Sequence, residues 1–455
     1  MTTFKAPPQS SHRSHRDDVP THPKMTVAQV LSTLIDGELP FRFSAFDGSV
    51  AGPPEAALGV HLVSSRALNY FLNAPGDLGL ARAYVAGDLE FSGLNSSDPY
   101  PMLALMADAL HVRRPTPAQL LNLARSLGWK QFVPVAPPAQ EAPPRWRRAT
   151  AALTAGSSVL TAMQRHSKQR DSDSIHRHYD VSNEFYEYVL GPSMAYTCAV
   201  YDTETTSLEQ AQENKYRLIF DKLRLTPGQR LLDIGCGWGS MVRYAARQGI
   251  SVLGVTLSAE QASWGQQAII RDGLESLAEI RYLDYRDVPE TGFDAISSIG
   301  LTEHIGVDNY ASYFAFLTTK LADGGRLLNH CITRPDNFSQ AKTEAFIDRY
   351  VFPDGELTGS GRIITDIQDA GLEVRHSENL REHYALTLRD WCINLAEHWD
   401  ECVAEVGAGT ARVWALYMAG SRMGFERNAI QLHQVLAVKP GLRGDAGLPL
   451  RPWWS

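Results

Sequence analysis

No stretch of this 455-residue chain holds the roughly 18 consecutive apolar residues that a membrane-crossing helix needs. The segment Met1 to Lys24 is polar and rich in Pro, Ser and His, without the apolar core of a secretory signal. Any membrane role is therefore expected to be peripheral. Cysteine is scarce: Cys198, Cys236, Cys331, Cys392 and Cys402 include no Cys-x-x-Cys pair, and five cannot all pair within one chain. This suits a reducing cytosol better than a disulfide framework or a zinc site, so no metal is expected. Positive charge is also short, 43 Lys and Arg against 51 Asp and Glu for a net charge of -8. That balance argues against nucleic acid as the main partner, because phosphate binding needs a basic face.

What is present is an ordinary globular composition, 44% apolar, at a length that allows roughly two to four domains. Residues 1 to 24 read as a disordered tail in which His12, His15 and His22 are solvated. From 25 to 127 a small α+β domain is expected. Val27, Val30, Leu31 and Leu34 fall on one helical face, short alternating segments run from Phe41 to Val60, and Leu78, Ala81 and Val85 share a stripe that stops at Gly87. Residues 128 to 175 read as a linker by Pro134, Pro137, Pro138, Pro143 and Pro144. Its basic residues Arg145, Arg147, Arg148, Arg165, Lys168 and Arg170 are either simply solvated or a patch for anionic lipid head groups.

From 176 to 455 short apolar runs alternate with helix-length segments: Leu231 to Ile234, Ser251 to Val255, Ala278 to Tyr282, Asp294 to Ser298 and Gly325 to His330. This is the signature of a parallel sheet covered on both faces. The first run enters Leu232-Asp-Ile-Gly-Cys-Gly-Trp-Gly239, a buried strand feeding a tight turn that opens a helix. Glycines there keep side chains from blocking a ligand's approach to the backbone. Gly235, Gly237 and Gly239 alternate, which departs from the Gly-x-Gly-x-x-Gly of dinucleotide sites. The Asp-x-Gly-x-Gly form resembles the first motif of S-adenosylmethionine-dependent methyltransferases, and the expected class is α/β, Rossmann-like, beside the smaller α+β domain.

Further candidates lie past the strand ends, where open α/β sheets keep their sites. Thr256 and Gln261 suit a ribose or adenine, although Ser258 with Gln261 also fits a capping box. Asp284 and Tyr285 suit an adenine. Glu303 and His304 follow the fourth strand, where Glu303 alternatively caps the next helix, and His330 ends the fifth. Before the glycine turn come His176, His178, Tyr179 and Asp180, then Tyr196, Thr197 and Cys198. Their spacing matches no zinc pattern, and a lid over the cofactor is the better reading. Phe346, Tyr350, Phe352, Trp391, Trp399, Trp414, Tyr417 and Phe425 are either core or the lining of a channel for a long apolar substrate.

Taken together, His178-Tyr-Asp-Val-Ser-Asn183, Tyr196-Thr-Cys198, the glycine turn, Gly254-Val-Thr-Leu-Ser-Ala-Glu-Gln261, Asp284-Tyr-Arg-Asp287 and Glu303-His-Ile-Gly306 resemble the cyclopropane-fatty-acyl-phospholipid synthases. The resemblance continues through Tyr350-Val-Phe-Pro-Asp-Gly355 and Ile430-Gln-Leu-His-Gln-Val435, and the stretch from Gly76 to Leu89 is similar to the family's amino-terminal domain. Four segments resemble the branch that makes tuberculostearic-type acids: Gly191 to Val200, Asn329 to Asp336, Gly355 to Gly361 and Tyr417 to Arg422.

The resemblance implies methylene transfer from S-adenosylmethionine to the cis double bond of an oleoyl phospholipid, giving a 10-methylene chain that a separate flavin-dependent reductase saturates. Ring closure to a cyclopropane is the alternative. The family's small-base site, which holds bicarbonate, carries over onto Cys198, Glu303, His330 and Tyr384, with the Ile332 backbone nearby. Some members have a cysteine where this chain has Ser421, so no covalent thiol role is assigned there. Cofactor contacts are expected from Tyr179, Tyr196, Thr197, Asp233, Gly235, Gly237, Thr256, Gln261, Asp284 and Tyr285. The expected setting is the cytoplasm, at the inner face of the cell membrane. A homo-oligomer is left open, as is the choice between bicarbonate and a side chain as the base.

Overall fold

The computed structural model describes residues 25–95, 97–113, 116–143, 182–353 and 355–454. The amino-terminal unit runs α1 (Val27–Leu34), β1 (Ile35–Asp36), β2 (Arg42–Ala45), β3 (Val50–Ala51), β4 (Gly59–Leu62), α2 (Ser65–Asn73), α3 (Asp77–Val85), β5 (Leu89–Ser92), α4 (Tyr100–Ala109), β6 (His111–Val112) and α5 (Pro117–Leu127). Its sheet has the order β3-β2-β4-β5, and β1 pairs with β6 apart from it. A reciprocal capping box between Thr26 and Gln29 starts α1, which buries Val27, Ala28 and Val30 and leaves Leu31 and Leu34 half-buried. Helix α3 ends as expected before Gly87, whose φ of +74° is left-handed and whose missing Cβ would lie 2.6 Å from Arg412 Nη1.

The described part of the expected linker, 128–143, is pinned along its length. Asn69 Nδ2 donates to the Gln131 carbonyl at 2.9 Å and the Tyr70 hydroxyl to the Ala136 carbonyl at 3.0 Å. Further on, the Glu141 carboxylate accepts from Arg82 Nε (2.6 Å) and Nη2 (2.7 Å), from the Tyr350 hydroxyl (3.2 Å) and from Arg349. A buried carboxylate facing two guanidinium groups makes this segment a clamp, because removing one partner of such a group strands a charge at a cost of about 3–5 kcal/mol. The basic cluster from Arg145 to Arg170 lies outside the described residues.

The larger unit runs α6 (Asn183–Leu190), α7 (Leu208–Leu223), β7 (Arg230–Ile234), α8 (Ser240–Arg247), β8 (Ser251–Thr256), α9 (Ala259–Arg271), β9 (Ala278–Tyr282), β10 (Phe293–Ile299), α10 (Thr302–Ile305), α11 (Tyr310–Lys320), β11 (Leu321–Thr333), α12 (Ser360–Asp369), β12 (Glu373–Asn379), α13 (Arg381–Glu397), α14 (Trp399–Glu426) and β13 (Gln431–Val438). Seven strands form one sheet in the order β12-β13-β11-β10-β7-β8-β9. The five expected strands are there and pair in parallel, with β7 between β10 and β8. Two strands are added that were not expected: β13 inserts antiparallel between β11 and β12.

The order of connection reverses at β7, so the chain leaves it toward β8 on one side and returns to β10 on the other. The crevice at the carboxyl ends of β7 and β10 is where such sheets bind ligands. One continuous buried core joins Ala81, Tyr84 and Met102 of the amino-terminal unit to Phe185, Tyr186, Trp414 and Met418 of the larger one. Burying a large apolar side chain stabilises by about 1.5–3 kcal/mol, so this shared core fixes the two units against each other.

Candidate active site

Strand β7 ends in the glycine turn, where Gly235 (φ +72°), Gly237 (φ +55°) and Gly239 (φ +79°) all take the left-handed conformation. Their reasons differ. A Cβ on Gly239 would lie 2.3 Å from Ile280 Cδ1 and one on Gly235 3.2 Å from Leu301, whereas one on Gly237 would meet nothing within 4 Å. Gly239 therefore serves packing, and Gly237 leaves open space. The Trp238 indole donates to Asn183 Oδ1 at 2.8 Å and the Ser240 hydroxyl to the Ser193 carbonyl at 2.6 Å, which ties α6 and the segment after it onto the turn.

The cleft beside the turn is lined by Gly235, Gly237, Thr256, Gln261, Tyr285 and Arg286, with Gly300, Leu301 and His304 at β10's end. Thr256 Oγ1 donates to Gln261 Oε1 at 2.9 Å, while the Gln261 backbone N–H donates to Ser258 Oγ at 3.2 Å. The cap and the cleft-facing role coexist, because backbone and side chain of Gln261 serve different ends.

The two expected acids are placed otherwise. Asp284 accepts from Arg286 Nε at 2.8 Å and Nη2 at 2.6 Å, so that Arg286 and Tyr285, not the carboxylate, reach the cleft. Asp233 is buried, accepts from Ser297 Oγ at 2.6 Å and lines neither space of the site. Burial pushes its pKa up to about 6. Tyr179 lies outside the described residues, as do His176, His178 and Asp180.

A larger cavity of about 320 Å³ adjoins the cleft, and Gly300 and His304 line both. Its wall takes Leu80 and Leu103 from the amino-terminal unit, Phe346, Ile347 and Phe352 from the segment after β11, Leu388 from α13, and Leu416, Tyr417 and Phe425 from α14. Charged Asp77, Arg334, Glu344 and Glu356 also touch it. The eight aromatics thus divide: Phe346, Phe352, Tyr417 and Phe425 line the cavity, Trp391 and Trp414 are core behind it, and Tyr350 and Trp399 pack half-buried against that core. The Trp391 ring stands 5.4 Å from that of Tyr196 and 6.1 Å from that of Tyr384.

The cavity collects Tyr196, Thr197, Cys198, Glu303, His330, Ile332 and Tyr384 from distant parts of the chain. Tyr196 donates through its hydroxyl to the Tyr417 hydroxyl at 3.1 Å. Thr197 Oγ1 accepts from the buried ammonium of Lys215 at 2.7 Å, a lysine whose pKa burial lowers to about 7. The Cys198 thiol donates to the Ala199 carbonyl at 3.2 Å, and burial raises its pKa, so it stays protonated.

Short helix α10 begins two residues after Gly300 and carries Glu303, whose Oε1 accepts from the Ile332 backbone N–H at 2.7 Å. Its other oxygen, Oε2, and the Nε2 of His330 are buried atoms with no hydrogen-bond partner among the described residues. Burial raises the Glu303 pKa to about 7 and, with the charges of Lys215 and Lys222, holds His330 well below the ordinary histidine value. Buried polar atoms without partners are rare and mark places where a ligand completes the bonding. Glu303 does not serve as a helix cap: it is inside α10, and its carboxylate crosses to β11.

Residues that the sequence did not single out also belong here. Gly300 (φ +72°) lets the chain pass Thr197, since a Cβ would lie 2.9 Å from Thr197 Cγ2. Lys215 and Lys222 of α7 and Gln434 of β13 lie buried behind the wall, and the strand register sets Gln434 opposite His330.

A seven-stranded sheet with one reversed strand, a glycine turn at the switch point and a cleft beside it define an S-adenosylmethionine-dependent methyltransferase. The model of the mycolic acid cyclopropane synthetase family matches residues 166–435, more than half of the chain, and the chain belongs to that family. It is 60% identical over 433 residues to a probable fatty acid methyltransferase of Mycobacterium tuberculosis, covering 95% of this chain and 99% of that one. With the cyclopropane-fatty-acyl-phospholipid synthase of Escherichia coli it shares 36% over 58% of this chain and 68% of that one. Among solved structures, a cyclopropane synthase from M. tuberculosis superposes with a TM-score of 0.55 at 31% identity, over 59% of this chain and 98% of that one. A mycolic acid cyclopropane synthase complexed with SAH and CTAB gives a TM-score of 0.55 at 29% identity, over the same shares.

Proposed function

We propose that this enzyme transfers a one-carbon unit from S-adenosylmethionine to the cis double bond of an oleoyl chain in a membrane phospholipid, giving a 10-methylene chain. The observation that carries this reading is the junction of cleft and cavity at Gly300 and His304. A methyl donor lying by Gly237 would then face an aromatic-walled space with a buried carboxylate in its wall. S-adenosylmethionine supplies the activated methyl group, and the chain's task is to align the alkene with it and exclude water.

Methyl addition leaves a carbocation on the acyl chain. Phe352, Tyr417 and Phe425 present aromatic surface to it, and the mainly apolar wall disfavours the water that would trap it. A hydride shift followed by proton loss from the transferred carbon yields the exocyclic methylene; proton loss without the shift closes a cyclopropane. Glu303, His330, Tyr384 and Cys198 fit a small oxyanion, since Glu303 Oε2 and His330 Nε2 are without partners. They would hold bicarbonate, which supplies a base at that point. Glu303, with its pKa near neutrality, is the group of this chain suited to move the proton onward.

The name of the 60% identical relative, a probable fatty acid methyltransferase, agrees with one-carbon transfer to an acyl chain. Among the described residues no helix is long and apolar enough to cross a membrane, which is consistent with peripheral action at the inner face. A flavin-dependent reductase is the partner class that would saturate the product, and no nucleic acid is involved. The test is incubation of the purified protein with S-adenosylmethionine and dioleoyl phospholipid. Methylene and ring products are isomers, so ozonolysis separates them: the exocyclic alkene is cleaved to a 10-oxo chain and the ring survives. Survival would replace the branch assignment with cyclopropane synthesis, and absence of any lipid product would overturn the reading.

A further inference from the structure

We propose that Lys222 and Gln434 lock His330 in the tautomer with its proton on Nε2, so that the imidazole faces the base site as a hydrogen-bond donor and not as a base. The inference rests on the reading of the cavity as the reaction site and assigns one of its residues a role.

The sheet register builds the lock. His330 on β11 lies directly opposite Gln434 on β13, and Gln434 lies directly opposite Glu378 on β12, so three cross-strand partners share one face of the sheet. Lys222, in the last turn of α7, reaches over them. Its ammonium donates to Gln434 Oε1 at 2.7 Å and to the Glu378 carboxylate. Lys222, Gln434 and His330 are all 0% exposed, so no water competes for the bonds from Lys222 to Gln434 and from Gln434 to His330.

Each link then dictates the next. An ammonium has three donors and no acceptor, so the Gln434 atom facing Lys222 is the carbonyl oxygen. That turns the Gln434 amide nitrogen toward His330 Nδ1, 3.1 Å away. The amide nitrogen only donates, so Nδ1 accepts and carries no proton. In a neutral imidazole the proton is then on Nε2. Burial and the two lysine charges keep the ring neutral, and Glu378, bonded to Lys222, opposes the burial that lowers the pKa of that lysine. Nε2–H is the atom without a partner in the wall, ready to donate to an anionic group, and proton acceptance falls to Glu303 or to a base held beside it. Lys222 and Gln434 act through His330 and are positioning residues.

Nitrogen-15 NMR of histidine-labelled protein tests this, with His330 assigned by the signal lost in His330→Asn. The wild type is expected to show an unprotonated Nδ1 and a protonated Nε2 at pH 7. In Gln434→Glu the new carboxylate accepts from both Lys222 and Nδ1–H, and the two signals should exchange character. Transfer should then fall on the order of a hundredfold, as for loss of one preorganised donor, with S-adenosylhomocysteine affinity unchanged. A wild-type spectrum with the proton on Nδ1, or Gln434→Glu protein with full turnover, overturns the proposal. If Gln434→Glu does not fold, the wild-type spectrum decides alone. If that spectrum is as expected but no acyl lipid is methylated, the lock stands and the proposed function falls.

Discussion

Beside β8 and β9 the polar groups of the cofactor cleft are bonded to one another: Thr256 to Gln261, Asp284 to Arg286 and, beneath them, Asp233 to Ser297. Beside β10 and β11 the reverse holds, with Glu303 Oε2 and His330 Nε2 buried and unmatched. Both regions occupy the carboxyl edge of one sheet, so position in the fold does not account for the difference. A recess whose groups satisfy each other can present shape and still exchange partners cheaply, which suits a cofactor that enters and leaves at each turnover. A recess with stranded polar atoms pays for them in stability, because a buried polar group without a partner costs about 1–3 kcal/mol. At the junction of cavity and cleft, a bound group that completes the bonding would offset that cost.

The sharpest way to break this contrast is Glu303→Gln. Transfer should fall by about 10²–10⁴-fold, the usual range for a general acid or base, in an assay of labelled methyl incorporation. Stability should move the other way. The Glu303 pKa is raised from 4.5 to about 7 on folding, so its contribution is fully present below about pH 4.5 and is lost as pH rises through 7. Above that, the wild type gives up at most about 3 kcal/mol that the amide does not. Melting curves should place the variant above the wild type at pH 8, with the gap closing toward pH 5; a variant that melts lower at pH 8 would contradict the assignment.

Next in size are the two glycines. Both Gly237→Ala and Gly239→Ala incur left-handed backbone strain of about 1–2 kcal/mol. Gly239→Ala adds overpacking against Ile280, about 1–3 kcal/mol more, and should show chiefly in the melting temperature. Gly237→Ala meets no protein atom, so calorimetric titration with S-adenosylhomocysteine should register the larger loss. Equal affinities in the two variants would mean that the cofactor does not lie over Gly237.

The smallest effect is expected where a bond is one of several. Thr256→Val removes the donor to Gln261 Oε1 and should weaken cofactor binding by about 0.5–1.5 kcal/mol without changing the turnover rate at saturation. A fall in saturated turnover as large as that of Glu303→Gln would erase the distinction between the two regions.

The central strands were legible because β7, β8 and β10 bury nearly every residue and carry short apolar runs bounded by turns. Strand β12, Glu-Val-Arg-His-Ser-Glu-Asn, was not: it sits at an edge and has no apolar run to read. Missing it, and the antiparallel β13 that brings it in, also hid the row from His330 to Glu378, since register is a property of pairing and not of spacing. The cavity set from Tyr196 to Tyr384 was legible by resemblance, and Gly237, Thr256 and Gln261 by their place at strand ends. Asp233 was expected as a cofactor contact by resemblance and Asp284 by position, and neither reveals that their carboxylates bond Ser297 and Arg286.

The wall of the acyl cavity draws Leu80 and Leu103 from one sheet unit and Tyr384 and Glu303 from the other, and the Glu141 clamp sets the distance between the two sources. Part of the reach is therefore written apart from the reactivity. Drift in the first hundred or so codons can reshape the Leu80 and Leu103 part of the wall while the residues of the proton chemistry are inherited untouched.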